Sequence, residues 1–211
     1  MEEVKIKKRL ETGTTTVGMI CTGGTLIAAE RKATMGYLVA SKHAEKIRQL
    51  APHIGMTIAG VVGDAQALER YISAELRLFE LRESRPATIH AASNLISNIL
   101  YSRRYYPYIV QLLVGGYDTS PHLYSLAPDG SVMEEQEYFS TGSGSPMALG
   151  VLEHRYQKGL SLDEGKKLAV GAISAAVQRD IASGGSGIDV AIIDSSGFRR
   201  VPDSEISKLM K

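Results

Sequence analysis

Thr14 stands in the stretch Glu11-Thr12-Gly13-Thr14-Thr15-Thr16-Val17-Gly18. A cut between Gly13 and Thr14 would give one residue both a hydroxyl and a free α-amine. Such an amine titrates at about pH 7.7–8.0, so it can accept a proton near neutrality. Nucleophile and base would then share a residue, as in the threonine–amine pairing of activated nucleophiles. The same residues also read as a plain first strand, because β-branched side chains are stiff and pack well on a sheet.

Other residues are out of place for a purely structural role. Glu30 ends the apolar run Thr25-Leu26-Ile27-Ala28-Ala29, where a carboxylate needs a partner. Asp180 falls at the C-terminal end of a predicted helix, where the macrodipole disfavours negative charge. A cation should compensate it, and adjacent Arg179 is a candidate. Ser143 and Ser183 lie in glycine-rich loops that permit close backbone approach. Gly60 reads as a bulge or as a point where another backbone comes close. Lys46, taken alone, reads as a solvated lysine.

Several chemistries are excluded. His43, His53, His90, His122 and His154 are scattered without His-Glu-x-x-His spacing, which argues against a zinc protease or a Ser-His-Asp hydrolase. Gly142-Ser143-Gly144-Ser145 precedes a helix like a phosphate cradle, but no Gly-Lys-Ser/Thr ending follows. Tyr105, Tyr106 and Tyr108 cluster with Arg103 and Arg104 and read as core edge or subunit contact rather than a base-stacking platform.

The elements that must position these residues follow from pattern. Thr14–Thr22 and Thr25–Ala29 read as a hairpin around Gly23-Gly24. Val39–Leu50 shows no clear pattern. Met56–Val62 is a buried strand. Asp64 is expected to cap a helix running to about Glu83, with Leu68, Ile72, Leu76 and Phe79 on one stripe. Pro86 suits the first turn of a second helix carrying Ile89, Ala92, Ile96 and Ile99. Strands are expected at Tyr108–Val114, interrupted by Gly115-Gly116, and at His122–Leu126 and Ser131–Met133 around Asp129-Gly130. Ser145 should cap a third helix ending near Gly159. Ser161-Leu162-Asp163-Glu164 is a capping box for a fourth, whose face of Ala169, Ala172, Ala175 and Ala176 allows close packing. Ile188–Ile193 and Phe198–Val201 form a last hairpin. Strands and helix pairs in alternation give a layered α/β protein.

Bulk properties fit one globular domain or a compact two-sheet unit. The chain has 211 residues, 44% hydrophobic and 22% charged, with a net charge of +1. That balance offers no electrostatic case for nucleic acid or an anionic membrane. The single cysteine, Cys21, fits a reducing compartment and reads as a buried, inert thiol. Residues 1–13 contain no apolar h-region, so they are not a secretory signal.

Read together, these stretches resemble a proteasome β subunit of the archaeal type. Thr14-Thr15-Thr16-Val17-Gly18, Gly24–Gly36, Gly60–Asp64, Leu113–Asp118, Thr141–Pro146 and Arg179–Gly185 fall in family order across nearly the whole chain. The resemblance implies the four-layer αββα sandwich of N-terminal nucleophile hydrolases. It implies a propeptide of residues 1–13, cut at Gly13–Thr14, and a single catalytic domain over 14–211. Thr14 would be the nucleophile and Lys46 the cation that tunes its amine. Glu30 would pair with Lys46, although many relatives carry aspartate there. Asp180, Ser143 and Ser183 would complete the hydrogen bonds, and the Gly60 N–H would be the oxyanion donor. The pocket for the residue before the cut would be lined by Ala33, Thr34, Ala44, Arg48, Ile58, Val62 and Gln66. It is expected to favour leucine, phenylalanine and tyrosine and to disfavour basic residues, since nothing assigned to it is acidic; an Arg48 guanidinium pointing inward would attract an acidic side chain instead.

The implied partners are α subunits, other β subunits in heptameric rings, an unfolding ATPase and unfolded protein substrates, in the cytoplasm. No cofactor or metal is implied. An inactive ring subunit is the alternative, although such subunits usually lack the threonine, lysine or acid. A bacterial-type two-ring protease is another, and the leader argues against it.

Overall fold

The computed structural model describes residues 13–210. The predicted leader therefore lies outside the described residues, except for Gly13. β1 (Thr16–Cys21) and β2 (Gly24–Glu30) form the expected hairpin, with Thr16 opposite Ala29 and Cys21 opposite Gly24. Thr14 and Thr15 precede the strand rather than lying within it. β3 (Ala33–Met35) and β4 (Leu38–Ser41) make a separate small hairpin. β5 (Ile47–Ala51) and β6 (Ile54–Gly60) pair next. Gly36 and the charged residues from Lys42 to Lys46 break the alternation that would mark β4 and β5 in sequence.

α1 (Val62–Glu83) opens before Asp64. Asp64 does not cap it, because its carboxylate is taken by the Ile109 N–H at 2.9 Å. α2 (Ile89–Ser102) starts after Pro86, not on it, and Thr88 Oγ1 caps it by accepting the Ala91 N–H at 3.1 Å. Next come β7 (Val110–Tyr117), β8 (Pro121–Leu126), β9 (Val132–Glu134) and β10 (Tyr138–Thr141). Gly115 and Gly116 continue β7 instead of interrupting it. A Cβ at Gly115 would come within 2.9 Å of the Ile27 and Thr25 side chains, so bare backbone lets strands of two sheets approach.

α3 (Ser145–Arg155) has Gly144, not Ser145, at its N-cap and stops at Arg155 rather than near Gly159. α4 (Leu162–Arg179) opens on the predicted capping box. β11 (Ile188–Asp194), β12 (Gly197–Arg200) and a short α5 (Asp203–Leu209), which the sequence pattern does not announce, complete the chain.

The strands form two five-stranded sheets, ordered β10-β1-β2-β11-β12 and β5-β6-β7-β8-β9. The alternation in β2 sorts its residues between two cores. Leu26 and Ala28 pack with Ala148, Leu152, Ala172 and Ile173 of α3 and α4. Ile27 and Ala29 pack with Ile47, Leu113 and Leu123 of the other sheet. A third core joins Ile58 and Leu112 to Leu68, Ile72 and Ile96 of α1 and α2. Each fully buried aliphatic side chain contributes about 1.5–3 kcal/mol, so β2 is fixed in register on both faces.

Cys21 lies in the α3–α4 core, and burial, aided by Glu164, pushes its thiol up to about 12. Tyr105 and Tyr106 are exposed, which overturns the core-edge reading for them, while Tyr108 packs at the edge of the α1–α2 core. The Arg104 guanidinium stacks on Tyr101 and Tyr105, 4.5 Å from each ring centre. Among the described residues no helix is long and apolar enough to cross a membrane.

Candidate active site

Thr14 is buried just ahead of β1 and is joined to Gly13 by an intact peptide bond. Its Oγ1 donates to the Gly13 carbonyl oxygen at 2.6 Å, so the hydroxyl is folded back on the preceding peptide group. Its N–H, here an amide, donates to Ser143 Oγ at 3.2 Å. The Gly13 N–H donates to Thr34 Oγ1 at 3.3 Å. A Cβ on residue 13 would overlap that of Ala182 and come within 2.8 Å of Ser143 Oγ, so this position takes no side chain.

Glu30 ends β2 at 0% exposure, and four donors account for a carboxylate there. Lys46 Nζ donates to Oε1. The Thr15 N–H also donates to Oε1, at 3.3 Å, while the Lys32 and Gly184 N–H groups donate to Oε2 at 2.6 and 3.0 Å. Lys46 immediately precedes β5 and is itself buried. Burial lowers the pKa of its ammonium, and Glu30 opposes that shift without cancelling it. The surface-lysine reading of Lys46 therefore does not hold.

Asp180 terminates α4. Among the described residues its carboxylate meets no cation, and Arg179 makes no ion pair with it. Its charge is met instead by Ser143 Oγ and Ser183 Oγ, both donating to Oδ2 at 2.6 Å, and by the Ala182 N–H at 3.3 Å. Ser183 Oγ also lies 2.6 Å from Thr15 Oγ1. Hydroxyls thus link the Thr14 nitrogen to Asp180 and back to Thr15. Gly60 ends β6 at φ +134°, a conformation that favours glycine, and a Cβ there would overlap the Ile109 carbonyl.

A cavity of about 200 Å³ joins these groups. Thr14, Lys46 and Gly60 line it, as do Ala33, Thr34, Ala44, Arg48, Ile58, Val62 and Gln66. All seven expected pocket residues are therefore brought together. Its volume falls below the roughly 300–1,000 Å³ of small-molecule sites and suits a single side chain. Larger cavities of about 350 and 780 Å³ lie elsewhere, the latter between the β5–β6 turn and the α1–α2 link.

Sequence reasoning missed Lys32, Glu45 and Ala65 in the wall. Glu45 corrects the expectation that the pocket holds no acid. It precedes the strand that could have phased it, so no periodicity marks its direction. Thr15 and Gly184 were also missed as donors to Glu30.

Two stacked antiparallel sheets with helix pairs, and a threonine buried at the head of the first strand, give the class. A family model described as proteasome subunit matches residues 10–193. The chain belongs to the proteasome subunit family, whose members have the N-terminal nucleophile hydrolase fold. Its curated relatives narrow this to the β type. It is 52% identical to a protein named proteasome subunit beta of Methanoregula boonei, over 93% of this chain and 92% of the relative. For the protein of the same name in Methanohalophilus mahii the identity is 50%, over 94% and 95%. For that of Archaeoglobus profundus it is 47%, over 98% and 96%.

Proposed function

We propose that this chain is the catalytic β subunit of a proteasome core particle, a threonine endopeptidase that matures by removing residues 1–13 itself. Residues 14–211 would then be one catalytic domain, and the three cores support a four-layer αββα arrangement for it. The observation that carries the reading is the Thr14 hydroxyl folded onto the Gly13 carbonyl, in a cavity shared with Lys46.

In maturation, Thr14 Oγ1 attacks the Gly13 carbonyl carbon. The C–O bond forms, the C–N bond breaks, and the hydroxyl proton is transferred to the departing nitrogen. Water then hydrolyses the ester and leaves a free amine on Thr14. In peptide hydrolysis that amine accepts the hydroxyl proton through a water, and the cationic Lys46 disfavours its protonation. The Gly60 N–H receives the oxyanion, a role worth about 3–4 kcal/mol of barrier. Asp180, Ser143 and Ser183 hold the amine in line. Unfolded chains are cut to peptides inside heptameric β rings, capped by α subunits and fed by an unfolding ATPase, in the cytoplasm.

Intact mass of the assembled particle tests the reading. The wild-type subunit is expected to begin at Thr14, and Thr14→Ala to keep its leader. Clean loss of residues 1–13 from the Thr14→Ala particle would sink autocatalysis.

A further inference from the structure

The cavity beside Thr14 is ringed by charges, and all but Lys32, whose Nζ donates to the Ile181 carbonyl at 2.7 Å, are matched by opposite charges. Lys46 is matched by Glu30. Arg48 is flanked by two carboxylates, with Nη1 3.1 Å from Glu45 Oε2 and Nε 3.3 Å from Glu69 Oε2. Arg200 reaches the same Glu45 oxygen at 3.7 Å, so Glu45 is shared between two arginines. Among the described residues Glu69, on α1, pairs with Arg48 alone. Arg48 Nε is buried and makes no well-aligned hydrogen bond, so the nearby Glu69 charge is what compensates it.

We propose that Glu69 is the specificity-determining residue of this pocket: by cancelling Arg48 it keeps that side of the wall neutral and selects uncharged side chains before the cut. The inference rests on the peptidase reading above. A substrate carboxylate entering the cavity meets a guanidinium already held by two acids. Without Glu69, Arg48 offers its planar fork to such a carboxylate. Without Arg48, Glu69 loses its cation and Glu45 keeps only the more distant Arg200, so the wall favours a substrate ammonium. The apolar wall of Ala33, Ala44 and Ile58 is common to all three cases.

The test uses assembled particles and fluorogenic peptides that differ only in the residue before the cut: Leu, Gln, Glu or Lys. Gln and Glu share a shape, so the ratio of their kcat/KM values isolates charge. Glu69→Gln is expected to raise the Glu-to-Gln ratio roughly tenfold, an electrostatic gain that shrinks in high salt. Arg48→Gln is expected to act in the opposite sense, raising the Lys-to-Gln ratio. If a Glu69→Gln particle still turns over the Leu peptide at an unmoved Glu-to-Gln ratio, the inference is overturned and the peptidase reading stands. Should that variant fail to assemble, Arg48→Gln decides, and an unchanged Lys-to-Gln ratio overturns the inference. A wild-type particle that cleaves none of the peptides removes both readings.

Discussion

Two carboxylates flank Thr14, and they are held in opposite ways. Glu30 is fully buried against a buried ammonium and three backbone N–H groups. Asp180 is only partly buried, sits at the unfavourable end of a helix, and is met by two hydroxyls and one backbone N–H. A charge pair in low dielectric fixes where a proton can reside. A chain of hydroxyls fixes direction instead, since each rotor donates one way and accepts the other. On the proposed peptidase reading, proton affinity belongs to the Glu30 side of the threonine and orientation to the Asp180 side.

The largest test of that division is Lys46→Ala. Glu30 would be left buried without its cation, at a cost of about 3–5 kcal/mol in stability. Peptidase turnover should fall by roughly 10²–10⁴-fold, the range for losing a group that controls proton transfer. Near-normal turnover in an assembled Lys46→Ala particle would abolish the distinction. Asp180→Asn comes next. It keeps the shape and one acceptor oxygen but removes the charge that strengthens both hydroxyl bonds. A loss of about 1–2 kcal/mol, roughly tenfold in kcat/KM, is expected with assembly intact. A drop as deep as that of Lys46→Ala would place Asp180 in proton transfer as well.

The smallest effect is a pH dependence of stability. Burial depresses the folded pKa of Lys46 below its unfolded value of about 10.4. Between the two values the unfolded chain binds the extra proton, so stability rises with pH across that window. Below the folded value the pair's desolvation is felt in full. Unfolding free energies of the wild type and the Glu30→Gln/Lys46→Met double variant, measured from pH 7.5 upward, should therefore diverge. The wild type should gain on the double variant as pH approaches the unfolded lysine value. Parallel curves would mean that Lys46 keeps its ordinary affinity for protons.

The sequence exposes this comparison unevenly. Glu30 and Asp180 are legible because each violates a local rule, one a strand's apolar run and the other a helix dipole. What compensates them is not legible. The Asp180 partners Ser143 and Ser183 sit in loops without periodicity, and the local candidate Arg179 makes no pair with it. Asp64 shows the same limit. As an isolated signal it is a good cap, but a backbone N–H from 45 residues away claims it. The β1–β2 hairpin and the helices with regular apolar stripes are readable because burial repeats along them. The short β3, β4 and β10 carry too few alternations to register, whereas β9 is marked by the Asp129-Gly130 turn before it. Glu69 is hidden for a different reason: it borders the buried stripe of Ala65, Ile72 and Leu76 on α1, and nothing in the helix pattern shows that Arg48 lies beside it.

The hydrogen bonds around Thr14 also set a clock. Its amide partner Ser143 lies 129 residues later in the chain, and Ser183, the partner of Thr15, lies 168 residues beyond it. A ribosome adding about 5–20 residues per second needs roughly ten to thirty seconds to make that last segment. Thr14 is thus among the first residues synthesised and the last to acquire its surroundings. On the proposed peptidase reading, the growing chain carries an ordinary threonine throughout translation, and the cell holds a protease that does not yet exist.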